Sequence, residues 1–369
     1  MIFCSNCFHD SELKSIIEKN NRIGTCPICG NPNTFLYDTD SDDSLLGIFD
    51  NLLSVYTPLE NLPEDFPKGD VALLCDVLRA DWDIFADIGV DSISEILKAL
   101  SPSIAENVPA LFSSSVGILE KYDADYLNEH SILKAQSWSD FVEALKHKNR
   151  FHTNQINTEL LKAYCLQIEK VIPTGSHRYY RGRIAQDVHG YSISEMGAPP
   201  KWAATDGRAN SAGISRLYLT YDRETTLHEI RAAEYDYVTI GTFKQESPIR
   251  VVDLSRIAEI SPFSPEVDCT SLAINREHLL KINQEMSKTM RRGDSPLDYL
   301  PTQYISDFIM SITDNKGQPI FDGVEYQSAM RKTGANLAIF YPEKFKCTFR
   351  RTYEVTQLVY HKKVQETSS

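Results

Sequence analysis

The sequence predicts an α+β chain, with a cysteine-bearing lobe and a helical domain first and a mixed α/β domain of many short strands after them. Three observations carry this. Two C-x-x-C pairs open the chain, Cys4 with Cys7 and Cys26 with Cys29. Amphipathic runs punctuated by prolines fill residues 45–172. Beyond a breaker at Pro173-Thr174-Gly175-Ser176, short alternating segments rich in aromatic and branched residues take over.

The totals narrow the function classes. At 369 residues the chain has room for two or three domains. Its apolar fraction of 42% and charged fraction of 24% are those of a soluble globular protein. A net charge of −13 argues against general nucleic-acid binding, which leaves a basic footprint, although a local basic patch stays open. No apolar run approaches the roughly 20 residues of a membrane helix. Residues 1–7 lack the basic and apolar segments of a signal peptide. The remaining cysteines, Cys75, Cys165, Cys269 and Cys347, are scattered, unlike a secreted disulfide framework. The expected compartment is the cytoplasm.

The paired cysteines point to a metal. A C-x-x-C turn sets two sulfurs about 2.3 Å from one tetrahedral zinc. Eighteen residues (8–25) separate the pairs, within the spacing of a paired knuckle. Residues 1–37 are therefore expected to form a zinc knuckle with Cys4, Cys7, Cys26 and Cys29 as ligands. Four thiolates close the shell, so the zinc is structural and has no open position for catalysis. His9 stands near enough to replace a cysteine but is not needed. The acidic run at 38–44 lacks the glycine and downstream glutamate of a calcium loop and reads as a solvated linker.

Helices are expected around residues 45–53, 71–78, 93–97, 138–145 and 155–172, which makes 45–172 a helical domain. The basic run at 146–152 reads as a solvated helix end. Strands are expected at 177–184, 216–221, 237–243, 249–254, 337–341 and 345–355. The tail after Val364 is polar and expected to fray. The stretch Gly207-Arg208-Ala209-Asn210 leads into the strand with Tyr218. A helix then opens with Thr225 as its cap and Glu229 in its first turns. An arginine fork suits a diphosphate. A carboxylate beside a ribose stabilises an oxocarbenium-like centre. The chain has no G-x-G-x-x-G after a strand, no Walker loop, no H-E-x-x-H and no G-x-S-x-G, so the usual dinucleotide and hydrolase folds are unsupported.

Residues 178 to about 350 resemble the RES domain. The matching blocks are Gly207-Arg208-x-Asn210-x-x-Gly213-Ile214, Leu217-Tyr218-Leu219 and Thr226-Leu227-x-Glu229-Ile230-Arg231. Later blocks are Val251-Val252-Asp253-Leu254, Gly323-Val324-x-Tyr326-x-Ser328 and Asn336-Leu337-Ala338-Ile339-Phe340. Ala209 stands where the common short form has an aromatic residue. The helical domain with its cysteine knuckle resembles the HEPN-like module that precedes some RES domains. It lacks a HEPN ribonuclease Arg-x(4–6)-His motif, because Arg150 and His152 are too close together.

The resemblance implies an ADP-ribosyltransferase-like mixed α/β fold for residues 177–356. It implies an NAD-degrading enzyme that cleaves the nicotinamide–ribose bond by hydrolysis or phosphorolysis, as a bacterial toxin or antiphage effector. Carried onto this sequence, Arg208 would bind the diphosphate and Tyr218 would stack near the nicotinamide ribose. Glu229 would be the main catalytic carboxylate and Ser328 would order the site. Asn210 would join the NAD contacts, with Arg181 or Arg183 from the first strand. The implied partners are NAD, an antitoxin protein and a second copy of the chain. Two other readings stay open: an ADP-ribosyltransferase acting on a protein or nucleic acid, and a zinc-dependent binding protein with an inactive RES domain. Intact Arg208, Tyr218, Glu229 and Ser328 weigh against the last.

Overall fold

The structure, a computed structural model, describes residues 1–265, 267–289, 295–331 and 333–359. It has the expected α+β class. Packing divides the chain into two compact units. The first is Met1–Ser137 with Gln155–Asn157 and Ala258–His278; the second is Trp138–Asn154 with Thr158–Ile257 and Leu279–Ser369. Compact packing thus runs across the breaker at 173–176. The expected frayed tail after Val364 lies outside the described residues.

The first unit opens with β1 (Ile2–Cys4), α1 (Ser11–Lys19), β2 (Ile23–Gly24) and β3 (Thr34–Asp38). The strands pair antiparallel in the order β1-β3-β2. Asp10 caps α1 by accepting from the Glu12 and Leu13 N–H groups. Phe3 and Tyr37 stack and Phe8 meets Phe3 edge-on, which gives this small lobe an aromatic core. Then follow α2 (Asp50–Leu53), β4 (Thr57–Pro58), β5 (Ala72–Leu73), α3 (Leu74–Ala80), α4 (Val90–Leu100), α5 (Pro102–Asn107), β6 (Ser115–Gly117) and α6 (Ala124–His130). Here the stretch expected to be helical also contains a small sheet, β4-β6-β5. Residues 72–73 pair with Val116 and Ser115 before the chain turns helical at Leu74, so long-range pairing overrides the local period.

The second unit contains α7 (Trp138–His147), α8 (Thr158–Gln167), β7 (Glu169–Ile172), β8 (Tyr179–Ala185), β9 (Leu217–Thr220), α9 (Arg223–Glu229), β10 (Tyr237–Gln245), β11 (Ile249–Asp253), α10 (Cys269–Ser287, from Leu279 on), α11 (Leu300–Ser311), β12 (Gly323–Gln327), β13 (Ala335–Ile339) and β14 (Phe345–Glu354). Its eight strands form one sheet, β14-β10-β8-β9-β13-β12-β11-β7. Among the described residues only β11 and β12 run parallel. The helix expected over 155–172 stops at Gln167, and Glu169–Ile172 becomes an edge strand on β11.

Alternation sorts the sheet into two faces. Tyr179, Leu217, Leu219, Phe243, Leu337 and Ile339 share one apolar core. The register places Tyr218, Thr220, Tyr326 and Asn336 on the other face. β8 and β9 pair at a single position, Tyr180 with Thr220. Helix α9 packs at this junction. A Cβ on Gly182 would lie 2.7 Å from Thr226 Cγ2 and 3.0 Å from Ile230 Cδ1, and the Thr220 and Thr226 hydroxyls sit 2.5 Å apart.

Two expectations about α9 are corrected. Its cap is Asp222, not Thr225: Asp222 Oδ1 accepts from Thr225 N at 2.8 Å and its Oδ2 from Thr225 Oγ1 at 2.7 Å. Glu229 ends the helix instead of opening it, and Arg231 at φ 53° carries the chain away. Among the described residues no helix is long and apolar enough to cross a membrane.

Replacing Gly182 with valine forces α9 off the sheet. We expect a loss of about 1–3 kcal/mol, read as a lower urea midpoint; an unchanged midpoint would show that α9 is not seated there.

Candidate active site and metal centre

Glu229 stands at the C-terminal end of α9, where the peptide dipoles present partial negative charge. A carboxylate there needs donors from elsewhere. Ser328 Oγ donates to Glu229 Oε1 at 2.5 Å, and Asn336 Nδ2 donates to the same oxygen at 2.8 Å. The serine hydroxyl is itself aimed. It accepts the N–H groups of Met330 at 3.2 Å and Arg331 at 3.1 Å, which leaves its proton for the carboxylate. Glu229 Oε2 takes no hydrogen bond among the described residues.

The turn that carries Ser328 is tied to the start of α9. Arg331 Nη1 donates to Asp222 Oδ1 at 2.6 Å and to Thr225 Oγ1 at 3.3 Å. Ser328 N donates to Gly334 O at 2.9 Å. A Cβ on Gly334 would lie 2.3 Å from Thr225 Oγ1, so the close approach requires glycine. Sequence reasoning did not single out Arg331 and gave Asn336 and Tyr326 no role. The only signal for Asn336 and Tyr326 was membership of the matching blocks, and for Arg331 its place between two of them.

Tyr218 reaches from β9 to the loop that carries Arg208. Its hydroxyl donates to Asn210 Oδ1 at 2.6 Å and accepts from Ala209 N at 3.1 Å. Asn210 is buried, and its Nδ2 donates to the carbonyls of Thr205 and Ser211 at 2.8 and 3.1 Å. Both ends of this amide are engaged within the loop. A Cβ on Gly207 would stand 2.7 Å from both Asn210 Oδ1 and the Tyr218 hydroxyl, which explains the glycine before Arg208. Arg208 Nη1 donates to Glu285 O at 3.0 Å, in the last turn of α10, where carbonyls lack helical partners. Burial pushes the Tyr218 phenol up, so it serves as a neutral donor. Tyr326, buried on the same face, is pushed up by burial first and then by Tyr218 and Glu229, with Arg208 opposing.

The first-strand arginines are not brought to Glu229. Gly182 faces α9, so Arg181 and Arg183 point to the opposite face of the sheet. Arg181 Nη1 donates to the carbonyls of Met196 at 2.8 Å and Gly197 at 2.5 Å. Burial, with Arg183 nearby, lowers its guanidinium to about 10. Arg183 donates to Glu195 O at 2.6 Å and lies 3.7 Å over the Tyr191 ring.

A family model described as RES domain matches residues 182–357. That stretch, just under half of the chain, is similar to the RES domain. The matched span holds Arg208, Tyr218, Glu229, Ser328 and Asn336 together. This family is associated with NAD-processing enzymes. Residues 1–181, which include the stretch expected to be HEPN-like, lie outside the match. No curated protein and no solved structure matches the chain.

In the first unit the four cysteines converge. Sulfur separations are 3.8 Å for Cys4–Cys7, 3.4 Å for Cys4–Cys29 and 3.7 Å for Cys7–Cys26, and all four lie within 4.8 Å of one another. Four sulfurs about 2.3 Å from a tetrahedral zinc are about 3.8 Å apart, so the set fits zinc closely. Gly30, at φ 72°, closes the second turn by donating to Cys26 O at 3.0 Å. Burial and the neighbouring sulfurs push the Cys4 thiol up to about 11 and raise Cys7 further. A divalent cation would offset the cost of holding them as thiolates. His9 Nδ1 turns instead to Asp83 Oδ1 at 2.7 Å and stays out of the cluster.

Two outcomes test these arrangements. Tyr218→Phe strips Ala209 N–H and Asn210 Oδ1 of a partner and should cost about 1–3 kcal/mol in denaturant unfolding; a wild-type midpoint would show that the hydroxyl does not hold the loop. Cys26→Ser should lose zinc in metal analysis and lower the melting temperature, whereas a metal-free wild type of equal stability would show that the sulfurs pack without an ion.

Proposed function

We propose that this protein degrades NAD by cleaving the nicotinamide–ribose bond through hydrolysis or phosphorolysis. The observation that carries this reading is the held carboxylate. Glu229 is fixed through Oε1 by Ser328 and Asn336, and its Oε2 takes no hydrogen bond among the described residues, in a stretch similar to the RES domain. In NAD the leaving group is already a cationic pyridinium. When the C–N bond breaks, its electron pair leaves with neutral nicotinamide, so no strong general acid is required. Positive charge then develops on the ribosyl carbon and ring oxygen. Glu229 Oε2 stabilises that charge and accepts a hydrogen bond from a ribose hydroxyl. Arg208 holds the diphosphate with its planar fork. Tyr218 fixes the Arg208 loop and borders the nicotinamide ribose. Water, which gives up a proton to solvent, or a phosphate oxygen forms the new bond to the ribosyl carbon.

An enzyme that drains NAD stops the cell that makes it. We therefore place the chain as a toxin or antiphage effector restrained by an antitoxin protein. The zinc knuckle would serve it as a structural staple.

Glu229→Gln is the test. The amide oxygen can still accept from Ser328 and Asn336, so the fold should persist, while NAD loss should fall by roughly a hundredfold or more. The readout is chromatography of NAD incubations with and without phosphate, which also names the acceptor. Wild-type NAD loss by the folded variant would overturn the assignment.

A further inference from the structure

We infer that Gln303, in the first turn of α11, is a positioning residue for Arg208. This rests on the reading of Arg208 as the ligand of the NAD diphosphate. Gln303 is only 3% exposed, and every polar atom of its side chain is spent on the Arg208 loop. Its Nε2 donates to Asn210 O at 2.9 Å and Gly207 O at 3.0 Å, with Asp206 Oδ1 at 3.2 Å. Its Oε1 accepts from Ser211 Oγ at 3.1 Å. Gly207 and Asn210 bracket Arg208 and Ala209. One amide thus fastens both ends of the two-residue tip from outside, while Tyr218 fastens it from the sheet through Ala209 N and Asn210 Oδ1.

The same helix is anchored further along. Arg216, the residue before β9, directs Nη2 at Asp307 Oδ1 at 3.4 Å and at Met310 Sδ at 2.9 Å. Residues 303, 307 and 310 lie on one stripe of α11. The stripe holds the loop at its first turn and the entry to the Tyr218 strand two turns later. The helix therefore fixes where Arg208 stands relative to Tyr218. Packing alone does not call for glutamine at a site this buried; an apolar side chain of similar size fills the space without an amide to satisfy. The amide has a purpose only if the loop carbonyls must be held in place. Displacing a substrate-holding group by about 1 Å can cost about a hundredfold in rate, so such a clamp has functional consequence.

Gln303→Met keeps length and volume and removes the clamp. The KM for NAD should rise about tenfold while kcat stays within about twofold, because Glu229, Ser328 and Asn336 hang on other elements. On a Glu229→Gln background, calorimetry should show the same tenfold weakening of NAD binding, independent of turnover. Hydrogen exchange at the Ala209 and Asn210 amides should quicken without NAD. Faster exchange with unchanged KM and binding would overturn the positioning role, and so would a fall in kcat alone. A wild type that neither binds nor consumes NAD would overturn the proposed function and this inference with it. Should Gln303→Met not fold, Ser211→Ala removes only the contact that orients the amide. It should raise KM about twofold in the same direction, and an unchanged KM there would overturn the proposal.

Discussion

The second unit depends on how one short helix is seated. β8 and β9 share a single register pair, so the sheet is thinly joined there, and α9 packs at the junction. The seat exists because Gly182 has no side chain: a Cβ would drive into Thr226 and Ile230. Asp222 caps the helix and also receives Arg331, so one carboxylate sets both the start of α9 and the turn that follows β12. Seven residues of helix therefore carry a structural joint at one end and Glu229 at the other.

Glu229 is placed where a helix least favours a negative charge. A serine and an asparagine from the two strand ends of the β12–β13 hairpin offset this, and both use one carboxylate oxygen. The result is a carboxylate with fixed direction and one oxygen without a hydrogen bond among the described residues, which is what an electrostatic catalyst needs before substrate arrives. The sheet separates the tasks. Its apolar face holds the core and the two first-strand arginines, and its other face carries the polar groups of the site. The cost of the polar face is spread over donors that are themselves held, such as the Ser328 hydroxyl between two N–H groups.

Much of the fold was legible. Alternation located most strands of the large sheet, since a strand with one buried face must repeat every second residue. In the large sheet the edge strand β7 and the interior strand β12 escaped, the latter singled out only as part of a matching block. Residues 169–172 continue the texture of a helix and become a strand only because β11 offers them backbone partners. Residues 72–73 do the same against β6. The cap of α9 was misplaced by three residues, because Asp222 and Thr225 are both good caps in isolation. Only the contact of Asp222 with Thr225 and Arg331 separates them.

The sequence alone determined whatever is set within one turn of chain. Each C-x-x-C spacing brings two sulfurs together, because each pair closes its own turn. The Gly207-Arg208-x-Asn210 block implies a tight loop with an arginine at its tip, and Glu229 stands within helical sequence. Only the tertiary structure decided which face of the sheet each residue meets. Arg181 and Arg183 have the right chemistry for a phosphate, but the period of two places both on the face away from Glu229. Gln303 shows no local signal at all, and Arg331 only its place between two matching blocks. Their partners lie about a hundred residues away in sequence, and such contacts follow from strand register and helix packing, which no short stretch of chain encodes.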